Sequence, residues 1–145
     1  MRVFVTNKNS EAIYKYLNDN SEIFIPPLTP RLNLKEYSHK IMLNAIQFWV
    51  INDNHEIGFA ACYFNNGDSG IGFVTTISVK SNFRGLGLGV LLLNSIVSYG
   101  SEHGFSQIQL EVFRENTSAL KFYLKFGFEF LEQYDSKILL NYKFD

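Results

Sequence analysis

The stretch Ile71-Gly72-Phe73-Val74-Thr75-Thr76-Ile77-Ser78-Val79, with Phe83-Arg84-Gly85-Leu86-Gly87-Leu88-Gly89 shortly after it, decides the fold. Its first part is rich in β-branched residues and predicts a strand over 71–79. Its second part sets three glycines ahead of Leu88, Leu91, Leu92, Ile96 and Tyr99, an apolar stripe at helical spacing. A strand therefore passes through a glycine-rich turn, residues 83–89, into a helix from about 88 to 103, with Gly104 where a helix-ending glycine belongs. Glycine permits positive φ and lets the backbone approach a ligand closely. The first turn of a helix leaves amide N–H groups unpaired and favours an anion. A pyrophosphate suits such a turn, with Arg84 adding charge at its rim. A tight turn that binds nothing has the same local pattern. Two other phosphate loops are excluded. The Gly-Lys-Ser/Thr ending of the Walker A pattern is missing, and G-x-G-x-x-G counted from Gly85 would need glycine at Val90.

Toward the N-terminus the pattern is strand-rich. Residues 46–51 and 56–64 read as strands that end at Asn52-Asp53-Asn54 and Asn65-Asn66-Gly67-Asp68, and such short turns imply an antiparallel meander with 71–79. Before them, residues 2–5 read as a short strand, and Ile13, Tyr16 and Leu17 give a helix over 10–18. Pro26, Pro27 and Pro30 make 22–32 an irregular connection. A helix begins near Asn33, which with Glu36 resembles a capping box, and Leu34, Tyr37, Ile41 and Ala45 line one face. Toward the C-terminus, residues 106–113 alternate Ile108, Leu110 and Val112 with Gln107, Gln109 and Glu111. A second helix runs from Asn116 to Phe126 and stops at Gly127, and strands near 128–132 and 137–144 close the chain. The class is α/β, a meander first and a β-α-β-α-β passage second.

Composition narrows the function. A chain of 145 residues, 46% of them hydrophobic, reads as a single domain over 1–145 with a sizeable core. Lys plus Arg is 13 and Asp plus Glu is 14, so the net charge of −1 argues against a basic nucleic-acid binder. One cysteine, Cys62, excludes an internal disulfide framework and multi-cysteine zinc sites, and its place between Ala61 and Tyr63 suits a small core residue. The spacing of His39, His55 and His103 suggests no metal site. No signal peptide follows Arg2, and no apolar run is long enough to span a membrane. The expectation is a cytoplasmic protein, and without secretion the sequon Asn116-Thr117-Ser118 is a coincidence.

The second helix carries the other motif. In Asn116-Thr117-Ser118-Ala119-Leu120-Lys121-Phe122-Tyr123-Leu124-Lys125-Phe126-Gly127-Phe128, Asn116 and Tyr123 lie on one face, about 10.5 Å apart along the axis. Asn116 is also a good N-cap. With Arg84-Gly85-Leu86-Gly87-Leu88-Gly89 matching R/Q-x-x-G-x-G/A and Asn116–Phe128 matching N-x-x-A-x-x-x-Y-x-x-x-G-F, the chain resembles the GCN5-related N-acetyltransferases, the GNAT superfamily. The resemblance covers roughly residues 71–130. It implies a mixed, mostly antiparallel central sheet flanked by helices and acetyl-CoA as donor, with no metal.

The same resemblance implies where acetyl-CoA lies. Its pantetheine arm would run beside Ile77-Ser78-Val79, and its pyrophosphate would sit on the amides of Arg84, Gly85, Leu86, Gly87, Leu88 and Gly89. Asn116 would contact the cofactor, Tyr123 would face the thioester sulfur, and a backbone N–H near 77–79 would meet the carbonyl oxygen. Lys80, Lys121 and Lys125 are candidates for the 3′-phosphate.

Acetyl transfer needs a neutral amine, a donor for the developing oxyanion and a donor for the leaving thiolate. Tyr123 suits the last role, although an aromatic on a helix is more often core. Glu111, twelve residues before Tyr123, is the candidate base; a solvated polar face shared with Gln107 and Gln109 is the alternative. Other members of the superfamily carry an acid on the strand before the glycine loop, and 71–79 has none. Thr75 or Thr76 faces the acceptor, and Arg31 or Tyr37 suits an anionic or sugar-like one; an ordered crossing loop with one surface arginine is the alternative, and no feature of the sequence names the amine. The expected partners are acetyl-CoA and an amine acceptor, with a homodimer left open and neither nucleic acid nor membrane involved. The alternatives are a non-catalytic acyl-CoA-binding module on the same fold and a nucleotide-binding α/β domain.

Overall fold

The computed structural model describes residues 1–65 and 67–145; Asn66, in the second expected turn, lies outside them. Strand β1 (Arg2–Val5), helix α1 (Ser10–Asp19), helix α2 (Leu34–Asn44), strands β2 (Ile46–Asn52), β3 (His55–Tyr63) and β4 (Ile71–Val79), helix α3 (Leu88–Glu102), strand β5 (Gln107–Phe113), helix α4 (Thr117–Phe126) and strands β6 (Glu129–Tyr134) and β7 (Lys137–Lys143) follow in order. Three of the four α-helices among the described residues start on an asparagine. Asn9, Asn33 and Asn116 accept from the amides of Ala12, Glu36 and Ala119 at 2.9, 3.2 and 3.2 Å, each satisfying a donor the helix cannot. Helix α4 stops at Gly127, as its sequence predicts.

Among the described residues the strands form one seven-stranded sheet in the order β1-β2-β3-β4-β5-β7-β6. The expected meander is present: β1, β2, β3 and β4 pair antiparallel in sequence order. Asp53 and Asn54, both at positive φ, turn β2 into β3 in the tight hairpin conformation that matches strand twist. The final strands do not follow chain order. Strand β7 inserts between β5 and β6, antiparallel to both, and leaves β6 as an exposed edge.

Each face of the sheet has its own core. Helices α3 and α4 cover one face with Leu92, Leu93, Ile96 and Tyr123 against Phe48, Val50, Ala60, Cys62, Val74, Ile108, Leu110 and Val112. Helices α1 and α2 cover the other with Ile13, Leu17 and Ile41 against Trp49, Phe59 and Ala61. The stacked Trp49 and Phe59 rings, with centroids 4.1 Å apart, anchor that second core.

Two irregularities of β4 shape the middle of the sheet. Strand β4 pairs with β5 in parallel only from Ile71↔Gln107 to Phe73↔Gln109. Both strands continue beyond that point, β4 to Val79 and β5 to Phe113, without pairing to each other. They splay and leave a wedge. On its other edge β4 carries a bulge, because Ala61 pairs with Thr76 and Cys62 with Val74, leaving Thr75 extra. Val74 and Ile77 pack toward α3 and α4. Thr75 bonds Tyr37 of α2, and Ser78 bonds Tyr16 of α1, so Thr75, Thr76 and Ser78 share the opposite side.

Candidate functional site

The wedge between β4 and β5 is a slot that passes from one side of the sheet to the other. Its volume is about 250 Å³. On the α4 side it is lined by Ile77, Leu110, Val112, Asn116, Ala119 and Tyr123. On the α2 side it is lined by Tyr37, Thr75, Thr76, Glu111 and Phe113, with Phe24, Leu28 and Arg31 of the α1–α2 connection above them. Alternation along β5 explains the split. Leu110 and Val112 belong to the α3/α4 core, so Glu111 and Phe113 point the other way.

Tyr123 sits at the floor of the slot, 9% exposed, held edge-on by Phe122 and Phe128. Its hydroxyl has no hydrogen-bond partner among the described residues. Burial pushes the phenol well above its ordinary value of 10.0, so it carries its proton at neutral pH. Asn116 enters the slot from the same helix. Its Oδ1 is taken by the Ala119 amide, which leaves its side-chain NH₂ to donate.

Glu111 reaches the slot from β5 and pairs with Lys137 at 3.8 Å through Oε1. Cross-strand register explains the pair: Lys137 lies opposite Phe113 on β7, diagonal to Glu111 on the same face. Lys137 Nζ and the Arg31 guanidinium both lie over the Phe113 ring, at 5.2 and 4.9 Å from its centroid. Arg31 also donates through Nε to the Pro26 carbonyl at 3.3 Å.

Tyr37 closes the α2 side. Its hydroxyl donates to the Thr75 carbonyl at 2.9 Å and lies 2.7 Å from Thr75 Oγ1. Thr76 Oγ1, beside this pair, is buried without a hydrogen-bond partner among the described residues. Burial holds the Tyr37 phenol up at about 12, despite the opposing bond to Thr75.

Of the sequence-predicted residues, Tyr123, Glu111, Asn116 and Ile77 meet in the slot. Ser78 and Val79 continue the same strand beyond it, with the Ser78 hydroxyl turned away to Tyr16 at 3.0 Å. Residues Arg84 to Gly89 lie past the end of β4, after a 3-10 turn over Ser81–Phe83, and do not line the slot. Gly85 and Gly87 take φ of +81° and +78°, a region glycine enters freely, and their missing side chains would point into open space. Gly89 is different: a Cβ there would come within 2.8 Å of the Phe122 ring. Arg84 reaches back 61 residues to the Ile23 carbonyl at 3.4 Å, tying the glycine turn to the α1–α2 connection. Phe113 and Lys137 were not singled out in the sequence, because strand pairing and not spacing brings them to the site. Among the described residues, no three His, Cys, Asp or Glu side chains gather as a metal site requires, and no helix is long and apolar enough to cross a membrane.

A mixed sheet that splays at its centre, with a glycine turn leading into a helix at one end of the wedge, defines a class of acyl-transfer folds. This chain belongs to the acetyltransferase (GNAT) family, whose sequence profile matches residues 6–128. It is 34% identical over 87 residues to an uncharacterized N-acetyltransferase of Methanocaldococcus jannaschii, a match covering 57% of this chain and 38% of that one. The chain spans less than two-fifths of the length of the curated relatives it matches. Among solved structures it is similar to the PaiA N-acetyltransferase of Thermoplasma acidophilum in complex with coenzyme A, with a TM-score of 0.79 at 16% identity over 99% of this chain and 100% of that one. A putative streptothricin acetyltransferase of Bacillus anthracis in complex with acetyl coenzyme A matches with a TM-score of 0.63 at 26% identity, over 70% of this chain and 64% of that one.

Proposed function

We propose that this protein transfers an acetyl group from acetyl-CoA directly to a primary amine, with the thioester seated in the β4–β5 slot. The observation that carries the reading is the free Tyr123 hydroxyl at the floor of that slot, where β4 exposes an edge without a strand. Family membership and the coenzyme A bound by the similar structures support it. The unpaired edge at Ile77–Val79 offers backbone groups to an extended pantetheine arm, as an added strand would. The amides of Arg84–Gly89, at the head of α3, suit the pyrophosphate.

In this reading the amine attacks the thioester carbonyl, the C–N bond forms and the C–S bond breaks. Glu111, whose Oε2 carries no ion pair among the described residues, takes the proton released by the amine, directly or through water. A backbone N–H near Ile77–Val79 donates to the carbonyl oxygen as it gains charge. Tyr123 donates to the departing sulfur. Handing its proton over completely would be uphill by ~2 kcal/mol even at reference values of about 10 for the phenol and 8.5 for the thiol. Tyr123 therefore stabilises the thiolate by hydrogen bonding rather than by ionising.

The test follows thiol release from acetyl-CoA over amino acids, polyamines, amino sugars and N-terminal peptides. With an accepted amine, Tyr123→Phe lowers kcat by about 100-fold while the KM for acetyl-CoA stays within about threefold. An unchanged kcat removes Tyr123 from the chemistry. Tight CoA binding without release to any amine makes the protein a non-catalytic acyl-CoA-binding module.

A further inference from the structure

The acceptor half of the slot carries three charged groups, Arg31, Glu111 and Lys137. Glu111 and Lys137 neutralise each other at 3.8 Å. Arg31 has no carboxylate partner among the described residues. Arg31 is exposed at the rim of the slot; its Nε donates to the Pro26 carbonyl and its plane lies over the Phe113 ring, while its terminal N–H donors remain to be used. A guanidinium held in this way is suited to receive a carboxylate with both prongs of its fork. It also repels an acceptor whose only charges are positive.

Glu111 and Arg31 form two opposite poles around one ring. Glu111 and Phe113 are two residues apart on the same face of β5, about 7 Å at about 3.4 Å per residue, and Arg31 lies over Phe113. An α-amino acid bridging a guanidinium and a carboxylate needs two contacts of about 2.8 Å and a nitrogen-to-oxygen span of about 3 Å between them. These lengths are of the same order. The α1–α2 connection that carries Arg31 otherwise lines the slot with apolar side chains, Phe24, Ile25, Leu28 and Leu32.

We propose that Arg31 is a specificity-determining residue that selects acceptors bearing a carboxylate beside the amine, namely free α-amino acids with apolar side chains. The proposal rests on the acetyl-transfer reading above and names its acceptor. The carboxylate docks on Arg31, and the amine turns toward Glu111 and the slot. Polyamines and amino sugars lack the anion and are poor acceptors.

The experiment compares L-leucine and L-phenylalanine with their carboxamides and with the decarboxylated amines, at saturating acetyl-CoA, following thiol release. An amide's amine is less basic than that of the free amino acid, so more of it is neutral at pH 7. Preference for the acid would run against this advantage. The expected result is a kcat/KM at least tenfold higher for the acids. Arg31→Gln should abolish the difference by raising KM for the acids with little change in kcat, leave the amides unaffected, and be partly rescued by Arg31→Lys. Equal turnover of acid and amide by the unaltered protein overturns the proposal, as does an equal loss on both in Arg31→Gln. Calorimetric titration of the CoA-saturated protein with the same compounds reads the preference without turnover. Equal affinity for acid and amide there also overturns it, whereas selective acid binding without thiol release would uphold the Arg31 assignment and sink the acetyl-transfer reading.

Discussion

Gly87 holds φ +78° at the residue before α3, and its Cβ direction opens onto space. Gly89, two residues on, has helical backbone and is confined by the tip of the Phe122 ring. Alanine at 87 costs the left-handed backbone, about 1–2 kcal/mol. Alanine at 89 costs no backbone energy but forces Phe122 to move, about 1–3 kcal/mol if the ring cannot relax. We therefore expect Phe122→Leu to rescue Gly89→Ala and not Gly87→Ala, as read by urea unfolding of the singles and doubles. Equal cost of Gly89→Ala in both backgrounds would show that Phe122 is not the obstacle. The spacing of the three glycines was plain in the sequence. The separate task of the third was not, because Phe122 is 33 positions away in the chain.

At the scale of the element, β4 shows how far periodicity reaches. A strand over 71–79 was legible from its β-branched content. Strict alternation would set Val74, Thr76 and Ser78 on one side and Thr75 and Ile77 on the other. The bulge at Thr75 shifts this by one, so Val74 and Ile77 share the α3/α4 side and Thr75 turns to Tyr37. A bulge is a property of two paired strands, and no pattern within one of them announces it. Tyr37 fastens this point from α2. We expect Tyr37→Phe to lower stability by about 1 kcal/mol, read as a lower urea midpoint at unchanged slope, since the part-buried bonds to the Thr75 carbonyl and hydroxyl are lost. No loss of stability would mean the bulge holds without it. Pairing also decided the C-terminal strands: 128–132 and 137–144 were both visible, but the insertion of β7 between β5 and β6 was not. That insertion brings Lys137 opposite Phe113 and beside Glu111.

Across the whole molecule, weak acids whose pKa burial raises set an alkaline limit. Burial raises Tyr16 and Tyr37 from 10.0 to about 12, and pushes Tyr123 and the Cys62 thiol higher still. A raised pKa means the folded chain keeps a proton that the unfolded chain releases. Stability from these groups is fully present below the unfolded values, 9.0 for the thiol and 10.0 for the phenols, and is lost as pH rises through the folded ones. Each contributes a slope of about −1.4 kcal/mol per pH unit in that window. The urea midpoint is expected to hold to about pH 9 and then fall steeply. Stability that stays flat to pH 11 would contradict these burials.

By itself the sequence determined the elements and the two motifs, because a glycine turn, an asparagine cap and apolar periodicity are local and act over a few residues. It also offered Tyr123 and Asn116, which stand at motif spacing, and Glu111, at the end of a strand, as candidates. Only the tertiary structure decided that β4 and β5 part after Phe73, that β7 lies between β5 and β6, and that Arg31 meets Phe113 across the slot. Those are contacts between distant parts of the chain, fixed by which faces bury together, and no short window of sequence contains both partners.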